Sequence, residues 1–219
     1  MISQPTKPEF FRQLVRRASY SRPSETEYYA YAHYRANYQH EIAEDCAQRC
    51  VYCDSHENEV GGREAMQIDH FRPHGRAEFE HLKNVPTNFL HSCARCNNWK
   101  RAKWPSSNPD ASHDGQVGFV DPFNDNRRIY FEVQPDGELR AIHPVGTYLI
   151  KLLALNRPYL RLLRLKRILH AQLIDFANSR MQAWEAAAKG EGAMTREQLA
   201  ADLLTYRRLS ELGSPDYTG

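Results

Sequence analysis

Four cysteines stand in two matched pairs, Cys50-Val-Tyr-Cys53 and Cys93-Ala-Arg-Cys96; an Asp69-His70 dipeptide lies between them and Asn97 follows the last thiol directly. Each Cys-x-x-Cys offers two sulfurs from a tight turn, and tetrahedral zinc takes four. A redox pair or plain buried thiols would account for one such motif; two together predict a single zinc on Cys50, Cys53, Cys93 and Cys96. Four thiolates leave no open coordination position, so this zinc is structural and closes the ends of the segment it encloses. Asp69 and Asn97 bring a carboxylate and an amide oxygen, donors that suit a hard ion such as magnesium or manganese. The His70 imidazole is then left to act as a base.

The order Cys-x-x-Cys, Asp69-His70-Phe71-Arg72-Pro73, Asn88-Phe89-Leu90, Cys93-x-x-Cys96-Asn97-x-x-Lys100 resembles the zinc-knuckle branch of the HNH endonucleases. The resemblance implies an α+β fold with a treble-clef-like ββα-metal core, in which two strands and a helix grip one divalent metal. It implies His70 as general base, Asp69 and Asn97 as ligands of a catalytic magnesium or manganese, and Asn88 as the brace of the loop carrying the histidine. Lys100 falls at the family's lysine position, and Asn97 stands where many members have histidine. Lys100 and Arg72 are the candidates for steadying a phosphate oxygen. His91 and Asn98 match no ligand position. Phe119-Val-Asp-Pro122, the turn at Pro135-Asp136-Gly137 and Leu155-Asn156-Arg157-Pro158 extend the likeness to a bacterial subgroup that includes nuclease subunits of anti-phage systems such as Septu. For that subgroup an ATPase partner and a role in defence are implied.

The elements that must position these residues are readable from pattern and punctuation. Residues 1–23 read as an irregular arm with one short helix over 10–17. Ser24-Glu-Thr-Glu27 is a capping box opening a long helix over 25–47. Tyr31, Tyr34 and Tyr38 share a face of that helix, with Tyr28 or Tyr29 one turn earlier, a stripe expected to pack on the core. Cys46 at its end is expected to be a buried thiol outside the zinc set. Gly61-Gly62 marks the turn before the strand that delivers Asp69-His70, and a long connection over 74–86 pivots at Gly75. Strands are expected over 117–120, 129–134 and 138–142, the last two joined as a hairpin. Helices are expected over 148–155, 158 to about 188, and 196–212, the last opened by a Thr195/Gln198 capping box. The resulting organisation is an N-terminal arm and Tyr-rich helix (1–45), the nuclease core with its hairpin (46–145), a C-terminal helical region packed on that core (146–212) and a disordered tail (213–219).

With 219 residues, 41% hydrophobic and 26% charged, the chain can bury a real interior. Its net charge of +2 does not by itself announce a nucleic-acid binder, so charge placement has to carry that argument. Residues 81–109 hold Lys83, Arg95, Lys100, Arg101 and Lys103 and neither Asp nor Glu, an arrangement suited to admitting phosphate. Trp99 and Trp104 in the same stretch fit either a core role or base stacking. On the long helix Arg157, Arg161, Arg164 and Arg167 run beside a stripe of Leu162, Leu165, Leu169 and Leu173, as a solvated face or a nucleic-acid or partner surface. An odd cysteine count of five fits zinc in a reducing compartment better than a disulfide framework. No apolar run approaches the roughly 20 residues of a membrane span, and the N-terminus lacks a secretory apolar region, so a cytoplasmic protein is expected.

These observations point to hydrolysis of nucleic-acid phosphodiester bonds, DNA rather than RNA, with a binding module that keeps the zinc knuckle without chemistry as the alternative. A partner-docking subunit is compatible with either.

Overall fold

In the computed structural model of the chain, residues 8–20, 31–190 and 194–213 are described. They divide into two compact units, a larger one of residues 10–134 and 139–160, and a smaller one containing 135–138 and the chain from 161 onward. The helical region expected from 146 therefore splits, its first part belonging to the larger unit.

The larger unit is built around helix α1 (Tyr31–Asp45), strands β1 (Met66–His70) and β2 (Phe89–Cys93), and the short helix α2 (Ala94–Lys100). Strands β1 and β2 pair antiparallel, with Met66 opposite Cys93 and His70 opposite Phe89. Gly61 and Gly62, at φ 105° and 83°, turn the chain into the approach to β1. Every residue of β2 is buried, because α1 and α2 both pack against the pair. Tyr38, Gln39, Ile42 and Ala43 form the inward face of α1, and Cys46, just past its end, is buried with them. Tyr38 meets Phe89 edge-on at 5.5 Å between ring centroids, so the aromatic stripe packs inward where its side chains are described. The Ser24–Glu27 capping box and Tyr28 and Tyr29 lie outside the described residues, as do the side chains of Tyr31 and Tyr34.

The helix expected over 10–17 does not form. Phe11 adopts φ 50°, and both Phe11 and Leu14 are buried against the larger unit. Their backbone is satisfied by other segments: the Leu14 amide donates to the Pro122 carbonyl at 3.4 Å, and Arg127 Nη2 donates to the Arg12 carbonyl at 2.6 Å. Tertiary partners have replaced the helical ladder. Arg17 locks this arm to α1 by donating to Glu41, Glu44 and Asp45 at 3.0, 2.8 and 2.9 Å.

The strand expected over 117–120 is reduced to an isolated bridge between His113 and Gly118. The hairpin is present but short, β3 (Phe131–Val133) paired with β4 (Leu139–Ala141). Helix α3 (Pro144–Leu152) starts four residues before the expected 148, since 148 − 144 = 4: the His143 side chain accepts the Val145 amide and Pro144 occupies the first turn. Gly75, expected as a pivot, has no left-handed φ; the connection instead folds into 3-10 turns at Ala77–Leu82 and Pro86–Asn88.

Helix α4 (Pro158–Ala188) is continuous, and residues 161–188 belong to the smaller unit with α5 (Arg196–Gly213). Thr195 and Gln198 form the expected reciprocal cap at the start of α5, at 2.9 and 3.2 Å. Asp202 is buried and accepts from Arg180 Nε at 3.0 Å and Trp184 Nε1 at 3.3 Å, which fastens α5 to α4. Of the arginine row only Arg164 is buried; Arg161 and Arg167 stay partly exposed. Arg164 donates to the Gly137 carbonyl at 2.6 Å, Arg161 pairs with Asp136, and Arg167 reaches the Glu9 carbonyl at 2.8 Å. No helix among the described residues is long and apolar enough to cross a membrane.

Candidate metal centre and adjoining site

The turn at Cys50–Cys53 is held by its own backbone, with the Cys50 amide donating to Ser55 and the Asp54 amide to Cys50, at 2.8 and 2.9 Å. The Val51 amide donates to the His91 carbonyl at 3.1 Å, which pins this turn to β2. Cys93 is the residue at the start of α2 and Cys96 lies in its first turn. Strand pairing and helix start thus bring Cys50, Cys53, Cys93 and Cys96 together, all buried, with their sulfurs within 4.8 Å of one another. Zinc–sulfur bonds of about 2.3 Å put tetrahedral sulfurs about 3.8 Å apart; Cys53 and Cys93 stand at 3.9 Å. No disulfide consumes them. The four cysteines are positioned to bind a metal, and the donor set and spacing fit zinc. Hydrogen bonds from Cys50 draw the Cys53 and Cys93 thiols down, while burial pushes Cys50 up. Cys46 stays outside the cluster, buried, its thiol pushed up to about 12 by desolvation.

Asp69 is buried beside this centre. Its carboxylate accepts from Lys100 Nζ, 3.1 Å from each oxygen, and from the Tyr52 hydroxyl. Lys100, itself fully buried, also donates to the His70 carbonyl at 2.7 Å. Burial raises the Asp69 carboxyl above its ordinary range; Lys100 and Tyr52 act against it. Asn97 turns its amide nitrogen to Gln67 Oε1 at 2.8 Å, two positions before Asp69 and on the same face of β1. Sequence reasoning missed Tyr52 and Gln67. Tyr52 had a signal, since a residue between two zinc ligands is held as tightly as they are.

A resident divalent ion on Asp69 does not fit this arrangement. Both carboxylate oxygens are engaged, and among the described residues only the four cysteines form a cluster of His, Cys, Asp or Glu able to hold a metal.

His70, one residue further along β1, projects to the opposite face. Its ring meets Phe89 and His74 at 5.0 and 4.3 Å between centroids, and Nε2 lies 2.8 Å from the Lys83 carbonyl oxygen. A carbonyl only accepts, so Nε2 carries the proton and Nδ1 is the basic nitrogen. Burial lowers the His70 pKa to about 4, which keeps the ring neutral at pH 7. Asn88, buried, holds the chain just beyond it. Its Oδ1 accepts the Arg72 amide at 2.9 Å, and its Nδ2 donates to the Arg72 and Leu82 carbonyls at 2.9 and 3.3 Å. Arg72 extends away to the Pro109 and Asp110 carbonyls at 3.4 and 3.0 Å.

Trp104 is core, packed against Phe71, Phe79 and Phe119. Trp99 lies half-buried between the guanidinium groups of Arg95 and Arg157. His91 is fully buried with Nε2 3.2 Å from Glu57 Oε2, while Asn98 is exposed.

No family model, curated protein or solved structure matches the chain.

Proposed function

We propose that this chain is an HNH-type endonuclease that hydrolyses phosphodiester bonds in DNA, with β1, β2 and α2 as its ββα core. The observation that carries the reading is His70: a neutral imidazole whose Nε2 is fixed by the Lys83 carbonyl, so that Nδ1 is set to take a proton from water. Asn88 holds the Arg72 backbone, two residues on, by two hydrogen bonds and ties it to the Leu82 carbonyl by a third, which keeps the base in place. Lys100 neutralises Asp69 and ties the His70 carbonyl to α2. The magnesium or manganese donor set expected on Asp69 and Asn97 is closed in this structure, because Lys100 and Tyr52 hold both oxygens of Asp69.

A second reading takes its support from that same closure. A buried, fully partnered Asp69 is what a non-catalytic zinc module would contain, binding nucleic acid or docking a partner without cutting. The test is incubation of plasmid DNA and of total RNA with the purified chain, in magnesium or manganese and in EDTA. Divalent-dependent cutting supports the nuclease and identifies its substrate; absence of cutting in every condition supports the module. A role as an anti-phage effector controlled by an ATPase partner belongs to the first reading, and co-purification of such a partner would support it.

A further inference from the structure

The residues that follow His70 in the chain, Phe71 and Arg72, line a cavity of about 530 Å³ whose wall also includes Asn88, the N-terminal arm and the Asp121–Asn124 turn. The arm is fastened there, with Gln13 Nε2 donating to the Phe123 carbonyl at 2.7 Å. Arg16 and Arg72 are both among its lining residues. Of the two it is Arg16 whose guanidinium lies over a ring of the wall, with its carbon 3.8 Å from the Phe123 centroid. Its two hydrogen bonds, to the Tyr20 hydroxyl at 3.2 Å and the Phe89 carbonyl at 3.3 Å, both leave from Nη1. Nε and Nη2 meet no acceptor among the described residues. Arg72 likewise bonds only carbonyls, through Nε and Nη2. Neither arginine has a carboxylate partner among the described residues. Asp121 is the one acid in the lining, and its oxygens are turned to the Phe123 and Asn124 amides and the Asn124 side chain.

A cavity lined by an arginine that bonds only neutral oxygens and keeps Nε and Nη2 unused among the described residues is a site for an anion. We propose that it binds a backbone phosphate of the nucleic-acid strand presented to His70, with Arg16 supplying the contact from outside the β1–β2–α2 core. The proposal rests on the nuclease reading for the identity of the ligand. An arginine seated over an aromatic ring is held in place, which suits the fork of donors to two phosphate oxygens. Phe71 and Arg72, in the wall, directly follow His70 in the chain, so a strand held here is presented next to the base.

The experiment is fluorescence anisotropy of a labelled DNA oligonucleotide with the full chain, without added divalent ion, over a series of salt concentrations. Arg16→Gln should weaken binding about tenfold and lower the salt slope by about one, and Arg16→Lys should recover part of the loss. Arg12→Gln, on the same arm but exposed and outside the lining, should bind as wild type does. Thermal melts matching wild type show that Arg16→Gln is folded; if it melts early, Arg16→Lys against Arg12→Gln carries the comparison. Wild-type binding that Arg16→Gln and Arg16→Lys leave unchanged would overturn the cavity while leaving the nuclease reading standing. Displacement of the oligonucleotide by low millimolar inorganic phosphate would assign the cavity to a free anion instead. Failure of the wild-type chain to bind DNA at all would overturn both readings.

Discussion

Asp69 and His70 are neighbours on one strand and face opposite ways, and their surroundings differ accordingly. Asp69 points to α2 and the cysteine centre, where Lys100 and Tyr52 satisfy it; His70 points to the connection over 74–86, where the Lys83 carbonyl fixes its tautomer. Burial of an ion pair is tolerated only while both members are present, since removing one leaves an uncompensated charge. Lys100→Met should therefore cost about 3–5 kcal/mol of stability, read by urea denaturation. Lys100→Met combined with Asp69→Asn should recover most of it. A loss below about 1 kcal/mol for the single variant would mean the pair behaves as an exposed one.

At the scale of elements, the cysteine centre joins the turn before β1 to the start of α2, and with it the two ends of the core. Cys93→Ser should lose the metal and soluble protein together, measured as zinc content and yield; a folded, zinc-free variant would contradict a structural role. The hairpin turn shows a different constraint. Gly137 has φ 79°, and a Cβ there would stand 2.2 Å from the Arg161 carbonyl oxygen. Gly137→Ala should destabilise the smaller unit by about 2 kcal/mol or more, seen as faster proteolysis after residue 160; unchanged proteolysis would show that the turn can shift. Motifs made the cysteine cluster, the strand bearing Asp69-His70 and the extent of α4 legible in the sequence, because spacing and punctuation there act locally. The arm over 10–17 was not legible. Its helical pattern is overridden by burial of Phe11 and Leu14 and by bonds to residues more than a hundred positions away.

For the whole molecule, the charge that matters is its distribution rather than its total. The runs of Lys and Arg read from sequence as a phosphate-facing surface turn out to be partly internal: Lys100 is fully buried and Arg164 nearly so, each held by a partner that pairs only through the fold. The cations that do line an open cavity, Arg16 and Arg72, are 56 positions apart in sequence (72 − 16 = 56), which no local pattern could connect. Zinc ligands were legible because four like residues must meet; the closure of Asp69 was not, because Tyr52 and Lys100 reach it from opposite sides of the knuckle. The most direct test of the central claim is plasmid cleavage in magnesium or manganese by wild type and by His70→Ala, with bound zinc measured on both. The account predicts cutting by wild type, none by His70→Ala, and zinc near one per chain in each. Equal cutting by the two proteins would contradict His70 as the base.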